Sequence, residues 1–153
     1  MFKWISLSVI GVVLLGLHLT NIYLTQVIAS KNHDNTAYLV AAYKAKPTST
    51  AATIKSKTAL CVTEQVGQNI PTLNQVFGEI VLYTVTNIEK DESTFYQGLL
   101  KMMSKQERSY MALLNESSPA KEKAIRQMLN DAMEKPLNLL SCVANKMKTP
   151  TTA

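Results

Sequence analysis

Histidine is nearly missing from this chain: there are two in 153 residues, and His18 lies inside an apolar run, which leaves His33 alone. A general base near neutral pH is most often an imidazole held beside its reacting partner. No Ser, Asp or Glu here sits in a nucleophile-elbow or comparable catalytic spacing. Asp91-Glu92, Glu64 and Glu79 read as helix-surface acids rather than as a glycosidase pair. There is no CxxC, and Cys61 and Cys142 are far apart, so no metal-ligand set is formed. A haem in a helical domain would need an inward His to pair with Met, and no attachment motif exists. The five glycines form no phosphate loop. These absences point to a chain without enzymatic activity, cofactor or metal. Scarce aromatics, scarce glycine and few β-branched runs also favour helices over sheet.

What is present begins with Trp4 to Ala29, WISLSVIGVVLLGLHLTNIYLTQVIA, which carries no charge unless His18 is protonated. A hydrocarbon core of roughly 30 Å needs about 20 apolar helical residues, and residues 4–28 are long enough. A helix there satisfies its own backbone hydrogen bonds without water. The stretch reads as a signal anchor. The alternative is a cleaved signal peptide, with Lys3 as the charged leader, 4–17 as the apolar part and cleavage after Ala29. The mixed-polarity run from His18 to Gln26 separates that site from the apolar part, which favours retention. On a helix Ser8, Gly11, His18, Asn21 and Thr25 fall near one stripe. Such a stripe suits packing against another membrane helix, or else marks polar groups near the headgroups. Lys31, Lys44 and Lys46 follow the segment, and the positive-inside tendency would hold them in the cytoplasm. A lone leading Lys and two cysteines favour export instead. The expected location is a bacterial inner membrane with the domain in the periplasm, or the periplasm or medium after cleavage.

The net charge of +5 is uneven. Lys31, Lys44, Lys46, Lys55 and Lys57 face a single acid, Asp34, in their segment, while the rest of the chain beyond it balances. The Lys31–Lys57 segment is therefore expected to meet anionic headgroups, each lysine contributing about 1 kcal/mol. Tyr38 and Tyr43 lie among these lysines in a pattern that also suits single-stranded nucleic acid. No nucleic-acid motif accompanies them, so no nucleic-acid partner is expected. In an exported protein the simplest state of Cys61 and Cys142 is one disulfide, with two buried thiols as the alternative.

Caps and periodicity predict helices over about 34–45, 49–67, 71–89, 93–115 and 119–146, the last kinked at Pro136. Pro47-Thr48-Ser49-Thr50 reads as a linker. The expected fold is all-α: an N-terminal membrane or signal helix, then a small antiparallel four-helix bundle. The divisions are 1–30 for the anchor, 31–48 for a basic juxtamembrane helix and linker, 49–148 for the bundle and 149–153 for a disordered tail. Met102, Met103, Met111, Met128, Met133 and Met147 crowd the last two helices, where they fill a core or form an adaptable docking seam. Met102 and Met103 lie about 100° apart on a helix, so at most one points fully inward. The outward one, with Tyr96 or Met128, is the expected contact with a protein partner. The leading expectation is a non-enzymatic envelope protein that binds another protein, as part of a secretion or transfer apparatus or as an immunity or inhibitor protein. The alternative is a sensor or carrier bundle for a lipid or small apolar ligand.

Overall fold

In the computed structural model, which describes residues 20–115 and 118–149, every regular element among those residues is a helix. Helix α1 covers 20–29 as far as it is described. It stops at Ser30, whose N–H reaches the carbonyls of Gln26 and Val27 at 2.9 and 3.1 Å and whose hydroxyl also donates to Val27. Neither glycine nor proline marks this break. Short polar side chains that bond nearby backbone supply it instead. Helix α2, Asp34–Ala45, is capped by His33, whose Nδ1 accepts the Asn35 N–H at 3.3 Å.

Helix α3, Pro47–Val66, starts on a proline, where a missing N–H costs nothing, and ends at Gly67 in the left-handed region at φ 86°. Its inward side is Thr50, Ile54, Thr58, Cys61 and Val62. The Thr50 and Thr58 hydroxyls are satisfied by the carbonyls of Ala42 and Ile54 at 2.9 and 2.7 Å. Helix α4, Pro71–Asn87, buries Leu73, Val76, Phe77, Ile80, Val81, Thr84 and Val85, which together take up about half of its circumference. So wide a buried band belongs at the centre. Helix α5, Glu92–Asn115, is capped by Asp91, whose carboxylate accepts from the Thr94 N–H at 3.0 Å and its hydroxyl at 2.6 Å. Those two bonds, the hydroxyl's first, hold the Asp91 carboxyl below its ordinary range. Helix α6, Pro119–Glu134, is capped by Ser118, whose hydroxyl accepts from the Lys121 N–H at 3.3 Å.

Helix α7 runs from Pro136 to Lys148, so Pro136 breaks the helix rather than kinking it. Lys135 leaves the helical region at φ −129°, ψ 60°, because the ring of a following proline crowds the helical conformation. The break lets α7 turn its own face, Leu139, Leu140, Val143 and Ala144, into the core. Among the described residues the bundle-like core thus draws on seven helical segments where the sequence suggested four. The extra ones are α1, α2 and the second half of the broken helix. Segment 31–48 is not a free linker: α2 packs on α3, α4 and α7, and Leu39 is fully buried. Of the expected tail, Thr149 still bonds the Asn145 carbonyl at 3.1 Å, and residues 150–153 lie outside the described ones.

Cys61 of α3 and Cys142 of α7, 81 positions apart in sequence, form a disulfide with Cα atoms 6.2 Å apart. A cross-link closing so long a loop stabilises by about 4 kcal/mol in the chain-entropy model. Replacing both cysteines by alanine is expected to lower stability by an amount of that order in urea unfolding. A double variant as stable as its parent would show that the helices hold without the staple.

Two helical glycines behave oppositely. A Cβ at Gly78 would meet Lys55 at 3.6–3.8 Å, an ordinary contact, whereas at Gly98 it would land on the Tyr83 hydroxyl. That hydroxyl donates to the Phe95 carbonyl at 2.8 Å, and the Tyr83 and Phe95 rings lie 5.3 Å apart. Gly78→Ala is expected to stabilise by about 0.5–1 kcal/mol, from backbone entropy alone. Gly98→Ala is expected to destabilise by about 1–3 kcal/mol, with part of the loss restored when Tyr83→Phe is added. Thermal melts of the three variants check this, and equal effects at the two glycines would contradict the α4–α5 packing.

Candidate interaction surfaces

The apolar N-terminal stretch does not end where the folded domain begins. Tyr23, Leu24 and Val27 of α1 are core residues, with Val27 fully buried. The Tyr23 hydroxyl donates to Thr84 of α4, whose own proton goes to the Ile80 carbonyl at 2.9 Å. Burial pushes the Tyr23 phenol far above its ordinary range, offset in part by the bond to Thr84. One turn earlier, the Thr20 hydroxyl lies 3.4 Å from the Met103 sulfur on α5. Residues 20–29 therefore serve as a bundle helix, and residues 4–19 of the apolar stretch lie outside the described residues. Cleavage after Ala29 would strip three side chains from the core. Among the described residues no helix is long and apolar enough to cross a membrane.

Of the polar stripe expected on that segment, Ser8, Gly11 and His18 lie outside the described residues. Asn21 and Thr25 are exposed, turned away from the core, with the Thr25 hydroxyl donating back to the Asn21 carbonyl at 2.9 Å. His33 is occupied as a helix cap.

The methionines form no open seam. Met128 is 1% exposed and Met133 is fully buried, so Met128 is a core residue and not a surface contact. Met102 and Met103 are both half-buried against the core, as is Tyr96. The line toward the core passes between the two methionines, so neither is fully inward and neither fully out. Burial raises the Tyr110 phenol above its ordinary range, a sign that the apolar face of α5 stays covered near its end.

The basic segment is less basic in space than in sequence. Lys44 pairs with Glu89 at 2.6 Å and Lys55 with Glu79 at 2.8 Å, both acids belonging to the turn or face of α4. Lys146 of α7 likewise reaches Glu64 of α3 at 2.6 Å, and Lys148 lies 4.9 Å above the Tyr38 ring. Tyr38 is thus engaged by a cation of its own chain. A different charge cluster emerges on α5, where Lys101, Lys105 and Arg108 are exposed at spacings of four and three on the side opposite Phe95 and Leu99. No carboxylate pairs with them among the described residues. Sequence reading passed over these cations because the acids of the same region cancel them in a running sum.

Where α6 breaks into α7, Gln65, Asp131, Ala132, Lys135, Asn138 and Leu139 line an open recess of about 270 Å³. The Gln65 amide donates to the Asp131 carboxylate at 3.0 Å across it. It is a polar notch lined by one carboxylate, one amine and two amide side chains. No group of side chains that could hold a metal ion occurs among the described residues. Compared with known proteins, the chain matches no family model, and no curated protein and no solved structure is similar to it.

The place of α1 is tested by neighbouring substitutions. Val27→Asp, at a fully buried position, is expected to cost at least about 3 kcal/mol, since it buries an unpaired charge. Ile28→Asp, at a position 41% exposed, is expected to change stability by no more than about 0.5 kcal/mol. Thermal unfolding of the full chain in detergent separates the two, and equal tolerance at both sites would remove α1 from the core.

Proposed function

We propose that this chain is a non-enzymatic protein of a bacterial cell envelope, tethered to the inner membrane by its N-terminal apolar stretch and acting in the periplasm by binding another protein. The observation that carries this reading is that the later part of the apolar sequence, from Thr20, is helix α1, whose Tyr23, Leu24 and Val27 are core residues. Apolar sequence that begins ahead of the bundle and continues into its core suits a domain kept close to the envelope, as in a component of a secretion or transfer apparatus, or an immunity or inhibitor protein, whose target also lies there. A disulfide across the bundle fits an oxidising compartment. The polar, open recess at the α6–α7 break does not resemble the enclosed apolar space a lipid carrier would need.

The test joins processing to partner capture. The protein isolated from envelopes is expected to resist carbonate washing and to have an intact mass that includes residues 20–29. A photo-crosslinking residue in place of Tyr96 or Met102 is expected to give one discrete protein adduct. A mature chain beginning at Ser30, or crosslinks to lipid alone, would overturn the reading.

A further inference from the structure

The two ends of the Cys61–Cys142 bond differ in their access to solvent. Cys61 is 3% exposed, on the side of α3 that also buries Ile54, Thr58 and Val62. Cys142 is only half-buried. Four residues turn a helix through about 400°, so residues four apart lie within about 40° of one another. Asn138 and Lys146 therefore flank Cys142 on one face of α7, where Asn138 is exposed and Lys146 reaches across to Glu64 at 2.6 Å. On α3, exposed Gln65 stands one turn beyond Cys61. Gln65 and Asn138 both line the open recess of about 270 Å³ at the α6–α7 break. The bond thus has one end closed in the core and one end beside open space.

A disulfide is exchanged when a thiolate attacks one sulfur and expels the other, so the sulfur that can be approached decides the course of the reaction. Core side chains bar the way to Cys61, whereas Cys142 is reached from the surface of α7. Nor does α7 depend on the bond alone for its place. Leu139, Leu140, Val143 and Ala144 are buried, and the Lys146–Glu64 pair spans the same two helices. The helices can therefore stay packed while the bond is open.

We propose that Cys142 is a site of reversible S-thiolation in the folded protein, at which an incoming thiolate attacks and from which Cys61 is expelled. The new S–S bond joins Cys142 to the incoming sulfur. The electron pair of the old bond leaves on the Cys61 sulfur, which takes a proton from water. When the incoming thiol belongs to a dithiol, its second thiolate attacks the first sulfur and releases Cys142 as a thiolate. The chain's disulfide is then reduced by two electrons, and the dithiol is oxidised to a disulfide. A small thiol and the dithiol of an oxidoreductase supply the same thiolate chemistry and meet the same sulfur.

The experiment uses the full chain in its disulfide-bonded form, in detergent at neutral pH. One arm receives glutathione, the other a reduced thioredoxin whose second cysteine is replaced by serine. Samples are quenched in acid at short times and digested with pepsin at low pH, and mass spectrometry locates the adduct. The earliest adduct is expected on Cys142 over Cys61 by at least about ten-fold in both arms. Its rate is expected to be unchanged by urea too dilute to unfold the chain. A faster reaction per thiolate in the thioredoxin arm assigns the site to an oxidoreductase, and a faster one with glutathione assigns it to a small thiol. Adducts divided evenly between the two cysteines, or favouring Cys61, overturn the proposal. So does a bond that reacts only in urea strong enough to unfold the chain, because exchange would then require the opened bundle.

Discussion

Helix α4 has little surface to give to water, and the other helices are arranged by that constraint. Burying an apolar side chain of this size stabilises by about 1.5–3 kcal/mol, and Leu73, Phe77, Ile80 and Val81 are each at most 2% exposed. One neighbouring helix cannot cover so wide an apolar band. α3 and α5 pack along two sides, α2 closes against its later turns, and α1 enters on the side of Thr84. The disulfide adds to this arrangement without creating it, since it ties α3 to α7 rather than touching α4.

Polar groups inside the core are handled by short helical bonds. Thr58 and Thr84 donate to carbonyls four residues back, and Tyr23 uses Thr84 as its acceptor, so a tyrosine from α1 is accommodated without an unmet hydroxyl. Among the described residues, three buried side-chain oxygens lack a partner, those of Thr36, Asn74 and Gln106, and of these residues only Thr36 is fully buried. Its methyl packs, its oxygen gains nothing, and it marks α2 as a less well satisfied part of the core.

Electrostatics divides the surface in a way that composition conceals. The lysines of segment 31–57 are partly neutralised by α4 carboxylates, whereas the α5 stripe keeps its charge because the acids near it in sequence point elsewhere on the helix. A signed sum along the chain cannot separate these cases. Partnering depends on which helices become neighbours, and a helix turns successive residues by about 100°.

Taken alone, the sequence determined the helical class and most helix ends. Proline at a first turn, Gly67 past a last one, and the caps Asp91 and Ser118 act on their own few residues, so their effect is local and legible. The pairing of Cys61 with Cys142 was legible too, because two cysteines permit a single bond. Only the tertiary structure decided that α1 belongs to the core, that Pro136 breaks rather than kinks its helix, that Met128 is interior, and which lysines remain unpaired. An apolar helix reads the same whether protein or lipid covers it. The choice is made by non-local partners such as Thr84 and Met103, which no pattern within residues 20–29 encodes.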